Sequence, residues 1–468
     1  MRAGRASRSK FIARIPNMST KEGSLEAPTR RPIAWDQPEF WNEAKLEKEL
    51  ERVFDICHGC RRCVSLCGAF PTLFDLVDGS PSGELDTVPK ARYAEVIEQC
   101  YLCDICFMTK CPYVPPHAWD LDFPHLMLRA KAVEFRRTGG RLRDRVLSST
   151  DRLGSFAGIP IVTQSVNAAN QSRPGKLVAE KLLGVDRRAW RPQYASAKFR
   201  RLAKADASAP VRNGARTPGK VAVYATCFVN YNEPGIGLDL LKILAHNEIP
   251  HVLVEKEACC GMPKLELGDL EGVRRLKEIN IPVLARLARE GYAIVAAIPS
   301  CTLMFAKELP LLFPNDSEVR LVSESMWDPF DYLVARQKDG LLKNDFARPL
   351  GTVSYHVPCH SRVQNLGRKT EEVLKWIPQT SVTTVERCSG HAGTWGVKKE
   401  FHSTAMKIGT PVFRAMAQPQ PDFISSDCQL AGHHIEQGIE QLEGDPTSGK
   451  RPRLAHPLTL LRIAYGIE

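Results

Sequence analysis

The sequence predicts an α+β protein of several domains, in which a helical, cysteine-rich domain precedes two tandem α/β domains. At roughly 150 residues per domain, its 468 residues are enough for about three folded units. Its fifteen cysteines are grouped, with eight between positions 57 and 111 and seven between 227 and 428. After residue 220, short strand-like runs alternate with helical stretches, which is typical of α/β units with a parallel sheet.

Composition and charge narrow the possible classes of protein. The chain is 43% hydrophobic and 25% charged, as in soluble globular proteins, and no apolar run reaches the ~18 residues of a membrane span. The net charge is +11, and residues 129–220 alone carry 21 Lys and Arg against six acidic residues, or +15, so the rest of the chain is net negative. This basic stretch fits a solvated linker, or a surface that docks an acidic partner or an anionic membrane. Because no reader motif accompanies it, we expect no nucleic-acid partner.

The N-terminal stretch from Met1 to Asn17 is rich in Arg, Ser and Ala and contains no acidic residue. It resembles a mitochondrial transit peptide, or else the true start is Met18, which is the interpretation we favour. We expect residues 1–35 to form a disordered basic tail. No secretory signal is present, so we predict a cytoplasmic protein, with peripheral contact to the inner face of the membrane as an open alternative. Grouped cysteines in a reducing compartment indicate metal rather than disulfides.

Apolar residues at helical spacing predict helices over 41–54, leading into Cys57, over 91–98, leading into Cys100, and over 122–137. The segment 186–220 shows little periodicity and is interpreted as a linker. The predicted domains are residues 36–130, a helical basic connector over 131–220, and two α/β domains over 221–345 and 346–468.

The first cysteine motif occurs twice. Cys57, Cys60 and Cys63 form C-x2-C-x2-C with Cys67 four positions on, and the second run is made by Cys100, Cys103, Cys106 and Cys111. Three thiolates on one tight loop cap three irons of a cubane, and the fourth iron takes its ligand from elsewhere in the chain. The spacing resembles that of a two-cluster bacterial ferredoxin, in which the fourth cysteine of each run serves the other cluster. The resemblance implies one [4Fe-4S] cluster on Cys57, Cys60, Cys63 and Cys111 and another on Cys100, Cys103, Cys106 and Cys67. Two zinc sites are the weaker alternative.

The second cysteine pattern is an internal duplication. Cys227, Cys259 and Cys301 are matched by Cys359, Cys388 and Cys428 at offsets of 132, 129 and 127 residues. In copy one Cys259 and Cys260 are adjacent and precede Gly261, whereas copy two has Cys388-Ser-Gly390.

These blocks, with the strings at 355–360, 388–396 and 456–461, resemble the family of iron-sulfur subunits with cysteine-rich CCG domains. That family includes the C subunit of anaerobic glycerol-3-phosphate dehydrogenase, the iron-sulfur subunit of glycolate oxidase, and iron-sulfur proteins related to heterodisulfide reductase. The resemblance implies a further iron-sulfur cluster in copy one, although Met304 stands where the last cysteine is expected. The ligands would be Cys227, Cys259, Cys260 and Cys301.

Copy two is degenerate, because only Cys359, Cys388 and Cys428 remain and Ala431 occupies the last slot. Three cysteines suit a three-iron cluster or a four-iron cluster with an exchangeable ligand; alternatively, the copy is a relic that keeps the fold and docks a partner. A histidine of this copy could replace a thiolate, as in Rieske-type centres. The candidates are His356, His360, His391, His433 and His434.

The complete prediction is an α+β multidomain protein: a helical two-cluster ferredoxin-type domain followed by two tandem α/β cysteine-rich CCG domains. No G-x-G-x-x-G follows a strand, so we find no flavin or nicotinamide site. The resemblance implies an electron-transfer subunit that takes electrons from a partner flavoprotein dehydrogenase and passes them to a quinone or another acceptor. The alternative is a heterodisulfide-reductase-like terminal reductase acting on a disulfide or a peroxide-linked substrate, with a rubrerythrin-like partner.

Overall fold

A computed structural model of the chain describes residues 27–443 and 451–468. The two possible starts, Met1 and Met18, therefore lie outside the described residues. The N-terminal part is helical throughout. Its helices are α1 (Glu43–Cys60), α2 (Ala69–Asp78), α3 (Tyr93–Gln99) and α4 (Phe123–Thr138), with a π-helical turn at Cys106–Lys110.

Helix α1 shows how the sequence defines these elements. The Asn42 side chain caps its first turn by accepting a hydrogen bond from the Lys45 amide at 2.9 Å. Leu46, Leu50, Val53 and Phe54 line the buried face, as their helical spacing predicts. The helix continues past residue 54, where the sequence predicted its end, and includes Cys57 and Cys60 in its last turn.

The structure differs from the predicted tail in residues 27–35, which are packed. Ile33 and Trp35 are buried, and the Trp35 indole donates a hydrogen bond to the Leu312 carbonyl at 2.9 Å. Arg30 lies among three carboxylates of the folded domains. Aromatic and charged anchors of this kind outweigh the basic character that suggested disorder. The prediction of a disordered tail is therefore wrong for residues 27–35.

The connector consists of short helices that pack on both α/β units. They are α5 (Leu142–Leu147), α6 (Thr150–Ala157), α7 (Pro160–Gln171), α8 (Arg173–Leu183) and α9 (Phe199–Leu202). The segment after α8 has little regular structure, but it is not a free linker. Phe199 is fully buried, and the Trp190 ring stacks on His433 with centroids 4.1 Å apart.

Two four-stranded parallel sheets follow, and they share one topology. The first has the order β2-β1-β3-β4 and the second the order β6-β5-β7-β8. The identical order confirms the prediction of two tandem α/β domains. The strands are β1 (Val221–Tyr224), β2 (His251–Leu253), β3 (Ala293–Ala296), β4 (Met326–Trp327), β5 (Gly351–His356), β6 (Thr380–Val385), β7 (Phe423–Ser426) and β8 (Arg453–Leu454).

The helices of the first α/β unit are α10 (Cys227–Tyr231), α11 (Pro234–His246), α12 (Met262–Leu267), α13 (Leu270–Arg289), α14 (Pro299–Leu303), α15 (Leu309–Leu312), α16 (Ser317–Ser325) and α17 (Pro329–Lys338). The helices of the second are α18 (Cys359–Arg362), α19 (Lys369–Leu374), α20 (His402–Ala417), α21 (Gln429–Glu443) and α22 (Pro457–Tyr465). One hydrophobic core runs from the N-terminal helices through the first sheet to α22. Among the described residues, no helix has the length and apolar character needed to cross a bilayer.

The N-terminal helices meet the first α/β unit where α12 packs against α4. Gly268 ends α12 with φ +84, a conformation that disfavours any residue with a Cβ. A Cβ there would lie 2.6 Å from the backbone nitrogen of Ala132 in α4. The two domains therefore approach each other as closely as a glycine permits.

We expect Gly268→Ala to lower the free energy of unfolding by about 3 kcal/mol. The left-handed backbone conformation strains any residue with a Cβ, and the added methyl group also overpacks against α4. Gly340→Ala is the control: its φ is +70, but nothing lies within 4 Å of the added Cβ. The control should lose only about 1 kcal/mol through backbone strain. Urea unfolding of anaerobically purified protein measures both changes, and equal losses would show that the α4–α12 contact is not tight.

Candidate functional site

The fifteen cysteines lie in four groups, which we call thiol groups 1 to 4. Thiol group 1 comprises Cys57, Cys60, Cys63 and Cys111, which line one small cavity of about 20 Å³ together with Phe70, Phe74 and Tyr113. Arg61, with φ 49, ends α1 and turns the chain toward Cys63. Burial raises the pKa of the Cys57 thiol well above its ordinary value, and the thiols of Cys111, Cys63 and Cys60 raise it further.

Thiol group 2 comprises Cys67, Cys100, Cys103 and Cys106. The loop from Cys100 to Cys106 curls tightly, with Leu102 and Asp104 both in the left-handed region at φ 53 and 60. Burial raises the pKa of Cys106 well above its usual range, and Cys103, Cys100 and Cys67 add to the shift. Cys67 thus lies with the second run and Cys111 with the first, the crossed arrangement that the resemblance implies.

A buried ionic cluster supports the loop of thiol group 2. Arg30 donates to Asp104 at 2.6 Å and to Asp122 at 3.0 Å, and its guanidinium lies 3.7 Å from Glu308 of the first α/β unit. Burial opposes ionisation of Asp122, but His125 and Arg30 outweigh it and hold the pKa of that carboxyl well below its usual range. The cluster therefore joins the loop to the neighbouring domain.

Thiol group 3 comprises Cys227, Cys259, Cys260 and Cys301. Its cysteines follow the carboxyl ends of β1, β2 and β3, where the loops of a parallel sheet converge. Hydrogen bonds from Cys227 and Cys260 lower the pKa of the Cys259 thiol well below its ordinary value. The Thr150 hydroxyl of α6 lies 3.4 Å from the same sulfur, so the connector also covers this group.

The Cys259-Cys260 loop is held by Asn280, a fully buried residue of α13. The Asn280 amide donates to the Cys259 carbonyl at 3.0 Å and accepts from the Ala258 amide at 2.9 Å. Met304, which stands where the family pattern has a cysteine, is fully buried in the π-helical turn Met304–Glu308. The three thiols at positions 259, 260 and 301 are each 4% exposed.

Thiol group 4 comprises Cys359, Cys388 and Cys428, which follow β5, β6 and β7 at the equivalent edge of the second sheet. Burial raises the pKa of Cys428 to about 11. Burial, followed by the neighbouring thiols of Cys388 and Cys428, raises the pKa of Cys359 above the normal range. Ala431 occupies the slot of the missing fourth thiol and is buried.

The structure narrows the choice of a histidine ligand in copy two. Five histidines have a hydrogen-bond partner for at least one ring nitrogen. Within the described residues, none of them has a buried ring nitrogen without a partner. The five are His356, His360, His402, His433 and His456. His391 and His434 each keep a buried Nε2 without a hydrogen-bond partner in the described part of the chain. Their rings lie 5.9 Å apart.

Thiol groups 2, 3 and 4 adjoin one another, which the sequence did not predict. The Tyr101 hydroxyl lies 3.3 Å from the Cys388 sulfur, although the two residues are 287 positions apart in the sequence. Burial, followed by the thiols of Cys359 and Cys388, raises the pKa of Cys103 well above its usual value. Ser300 beside Cys301 lies 2.8 Å from the Nδ1 atom of His360 beside Cys359. The sequence indicates these contacts only in that Tyr101, Ser300 and His360 are each next to a cysteine.

The donor set fits polynuclear iron-sulfur groups. Thiolates are the ligands that such clusters take, and the four cysteines of thiol group 1 line one shared cavity. Within residues 27–443 and 451–468, no three His, Cys, Asp or Glu side chains converge as ligands of one metal ion.

Comparison with known proteins agrees with this arrangement. The model of the cysteine-rich CCG domain matches residues 221–306 and 353–436. The chain is 30% identical over 354 residues to the C subunit of anaerobic glycerol-3-phosphate dehydrogenase from Escherichia coli K12, and the match covers 74% of this chain and 82% of the relative.

Two further relatives match about half of the chain. The B subunit of the fumarate reductase (CoM/CoB) from Methanothermobacter marburgensis is 26% identical over 48% of this chain and 44% of its own length. Lactate utilization protein A of Bacillus cytotoxicus is 26% identical over 51% of this chain and 96% of its own length. The chain therefore belongs to the family of iron-sulfur oxidoreductase subunits with cysteine-rich CCG domains that includes the C subunit of anaerobic glycerol-3-phosphate dehydrogenase.

Proposed function

We propose that this chain is the electron-transfer subunit of an oxidoreductase, which takes electrons from a flavoprotein dehydrogenase and passes them to a quinone or another acceptor. The observation that carries the proposal is the gathering of the cysteines into four thiol groups, three of which adjoin one another around Tyr101, Ser300 and His360. Electron transfer between redox groups requires such proximity, and a purely structural role does not.

Thiol groups 1 and 2 would each hold a [4Fe-4S] cluster with the crossed ligand sets given above, and thiol group 3 a further cluster. When bound, these clusters supply one-electron redox steps. The chain contributes burial, which excludes water and raises the pKa of thiols such as those of Cys57, Cys106 and Cys359. Loading iron therefore releases protons and couples cluster assembly to folding. In thiol group 4, three cysteines would provide thiolate ligands, and His391 or His434, whose buried Nε2 atoms have no hydrogen-bond partner in the described residues, would supply a non-thiolate one.

Direct reduction of a disulfide substrate is less well supported. A substrate disulfide must reach the reacting sulfur, but Cys259, Cys260 and Cys301 are each 4% exposed. Asn280 and Thr150 also hold the Cys259 segment from two sides. This burial favours electron transfer over the terminal-reductase alternative, in which the partner would be a rubrerythrin-like protein.

We also propose that the chain contacts the membrane surface. Exposed side chains of the connector support this proposal. Leu177, Val178 and Leu182 of α8 are exposed, with Leu182 at 76%, and Phe156 of α6 is exposed at 63%. Exposed basic residues flank them; these are Arg173, Lys181, Arg187 and Arg188. Apolar side chains framed by Lys and Arg are typical of helices that lie on anionic membranes. The chain would thereby bring its clusters to a membrane-dissolved acceptor.

The crossed ligand sets can be tested by two substitutions. In anaerobically purified full-length protein, Cys111→Ser should abolish the EPR signal of one cluster and Cys67→Ser that of the other, each with a loss of about four irons. Ser65→Ala, in the loop between Cys63 and Cys67, is the control and should retain both signals. If both cysteine variants lose the same signal, the crossed assignment is wrong.

The proposed donor can be tested with the native complex. Affinity purification of the tagged chain from its own host without oxygen should yield a flavoprotein in a fixed ratio, and the substrate of that flavoprotein should reduce the clusters of the chain. Purification with a rubrerythrin-like protein, and without a flavoprotein, would favour the alternative.

Membrane contact should depend on the apolar face of α8. The double variant Val178→Glu/Leu182→Glu is expected to bind vesicles of phosphatidylcholine and phosphatidylglycerol at least tenfold more weakly, because two apolar side chains that would be buried in the bilayer are lost. Ile279→Glu is a matched control, since Ile279 is 48% exposed on another helix, α13. Cosedimentation measures both, and equal binding by all three proteins would refute membrane contact by α8.

A further inference from the structure

A cavity of about 700 Å³ lies where the N-terminal domain, the connector and both α/β units meet. Its walls include Tyr101, Lys131, Glu266, Trp395, Lys398 and Phe401. Exposed residues such as Lys90 and Arg137 line it as well, so the cavity opens to solvent. Its size is that of a small-molecule site.

One wall of the cavity is aromatic and rigid. The rings of Tyr101 and Trp395 lie 5.1 Å apart, and Phe401 stacks on Trp395 at 5.0 Å with an interplanar angle of 12°. The Trp395 indole donates a hydrogen bond to the Glu98 carbonyl at 3.1 Å, which fixes the ring. A wall of this kind suits a planar conjugated ring, which stacks on aromatic faces.

The same wall touches the thiol groups. The Tyr101 hydroxyl lies 3.3 Å from the Cys388 sulfur of thiol group 4, and Tyr101 directly follows Cys100 of thiol group 2. Lys131 of α4 binds the Cys100 carbonyl. A ring bound against Tyr101 and Trp395 would therefore lie close to two groups of proposed cluster ligands.

Glu266 is an ionisable group of this cavity that the proposed function does not use. In the described part of the chain its carboxyl has no hydrogen bond or ion pair within 4 Å, unlike Lys398, which pairs with Asp144 at 2.7 Å. Burial raises the pKa of Glu266 to about 7; the charges of Lys131 and Lys398 oppose this shift, and the Cys259 thiol adds to it. At neutral pH, Glu266 is thus able both to give and to regain a proton.

We propose that this cavity binds the electron acceptor as a planar ring with two carbonyl oxygens, and that Glu266 protonates one of these oxygens. This rests on the proposed function. Two electrons from the reduced iron-sulfur groups and two protons convert the two C=O groups into two hydroxyls. Glu266 supplies one proton and regains it from water through the cavity mouth, and the second proton comes from that water.

The test uses full-length protein with its clusters assembled, prereduced with dithionite and mixed with 2-methyl-1,4-naphthoquinone. Cluster oxidation is followed by visible absorbance. Glu266→Gln should slow oxidation at least tenfold at pH 7, since general acid catalysis is typically worth 10²–10⁴-fold. It should also remove the rate change near pH 7, while quinone affinity stays within about threefold. Glu271→Gln, at the exposed start of α13, should match the wild type.

Binding is tested separately by equilibrium dialysis of the oxidised protein. Trp395→Leu should weaken naphthoquinone binding about fivefold, whereas Trp395→Phe, which keeps a stacking surface, should restore it. Iron content confirms that each variant is folded. Equal affinities for the Leu and Phe variants, or equal oxidation rates for wild type and Glu266→Gln, would overturn the proposed site.

These outcomes are distinct from a failure of the proposed function. Protein that binds no iron and sulfide under anaerobic conditions would refute electron transfer itself. If the clusters assemble and ferricyanide oxidises them but the quinone does not, the electron-transfer function stands and the acceptor cavity is refuted.

Discussion

Buried sulfur is the constraint on which the rest of this structure depends. The fold gathers cysteines where water is scarce, and burial raises the pKa of most of their thiols, so these thiols ionise only when positive charge joins them. Iron supplies that charge, which is why filling the sites and stabilising the fold are coupled. Cys259 is the exception, because two neighbouring thiols and Thr150 donate hydrogen bonds to its sulfur.

The two sheets place their cysteines in the same way. Parallel strands bring the loops at their carboxyl ends to one edge, and in both copies the cysteines occupy those loops. Copy two has lost a thiol at Ala431, yet it contributes Trp395, Phe401 and Lys398 to the central cavity. At the proposed acceptor site, this contribution would give the degenerate copy a role that does not depend on its missing ligand.

The sequence predicted those features that local spacing encodes. The C-x2-C-x2-C runs indicated two groups of cysteines in the N-terminal domain, the repeated offsets indicated two α/β units, and helical periodicity located α1 and α4. The crossed membership of the cysteine groups came from the resemblance to two-cluster ferredoxins and not from local spacing. It did not predict the contact of Tyr101 with Cys388 or the position of Glu266, because both depend on tertiary packing between distant segments. The interpretation of 186–220 as a linker differs from the structure for a related reason. Its basic composition gives no sign that Phe199 and Trp190 pack against the α/β units.

The packing of Arg30 has a practical consequence for anyone trimming this protein. This one side chain contacts Asp104 and Asp122 of the N-terminal domain and Glu308 of the first α/β unit. Cleavage beyond it would leave the buried Asp104 and Glu308 and the partly buried Asp122 close together, with His125 as the one remaining cation beside them among the described residues, at a cost of several kcal/mol. Expression designs should therefore place any affinity tag or protease site well upstream of Arg30.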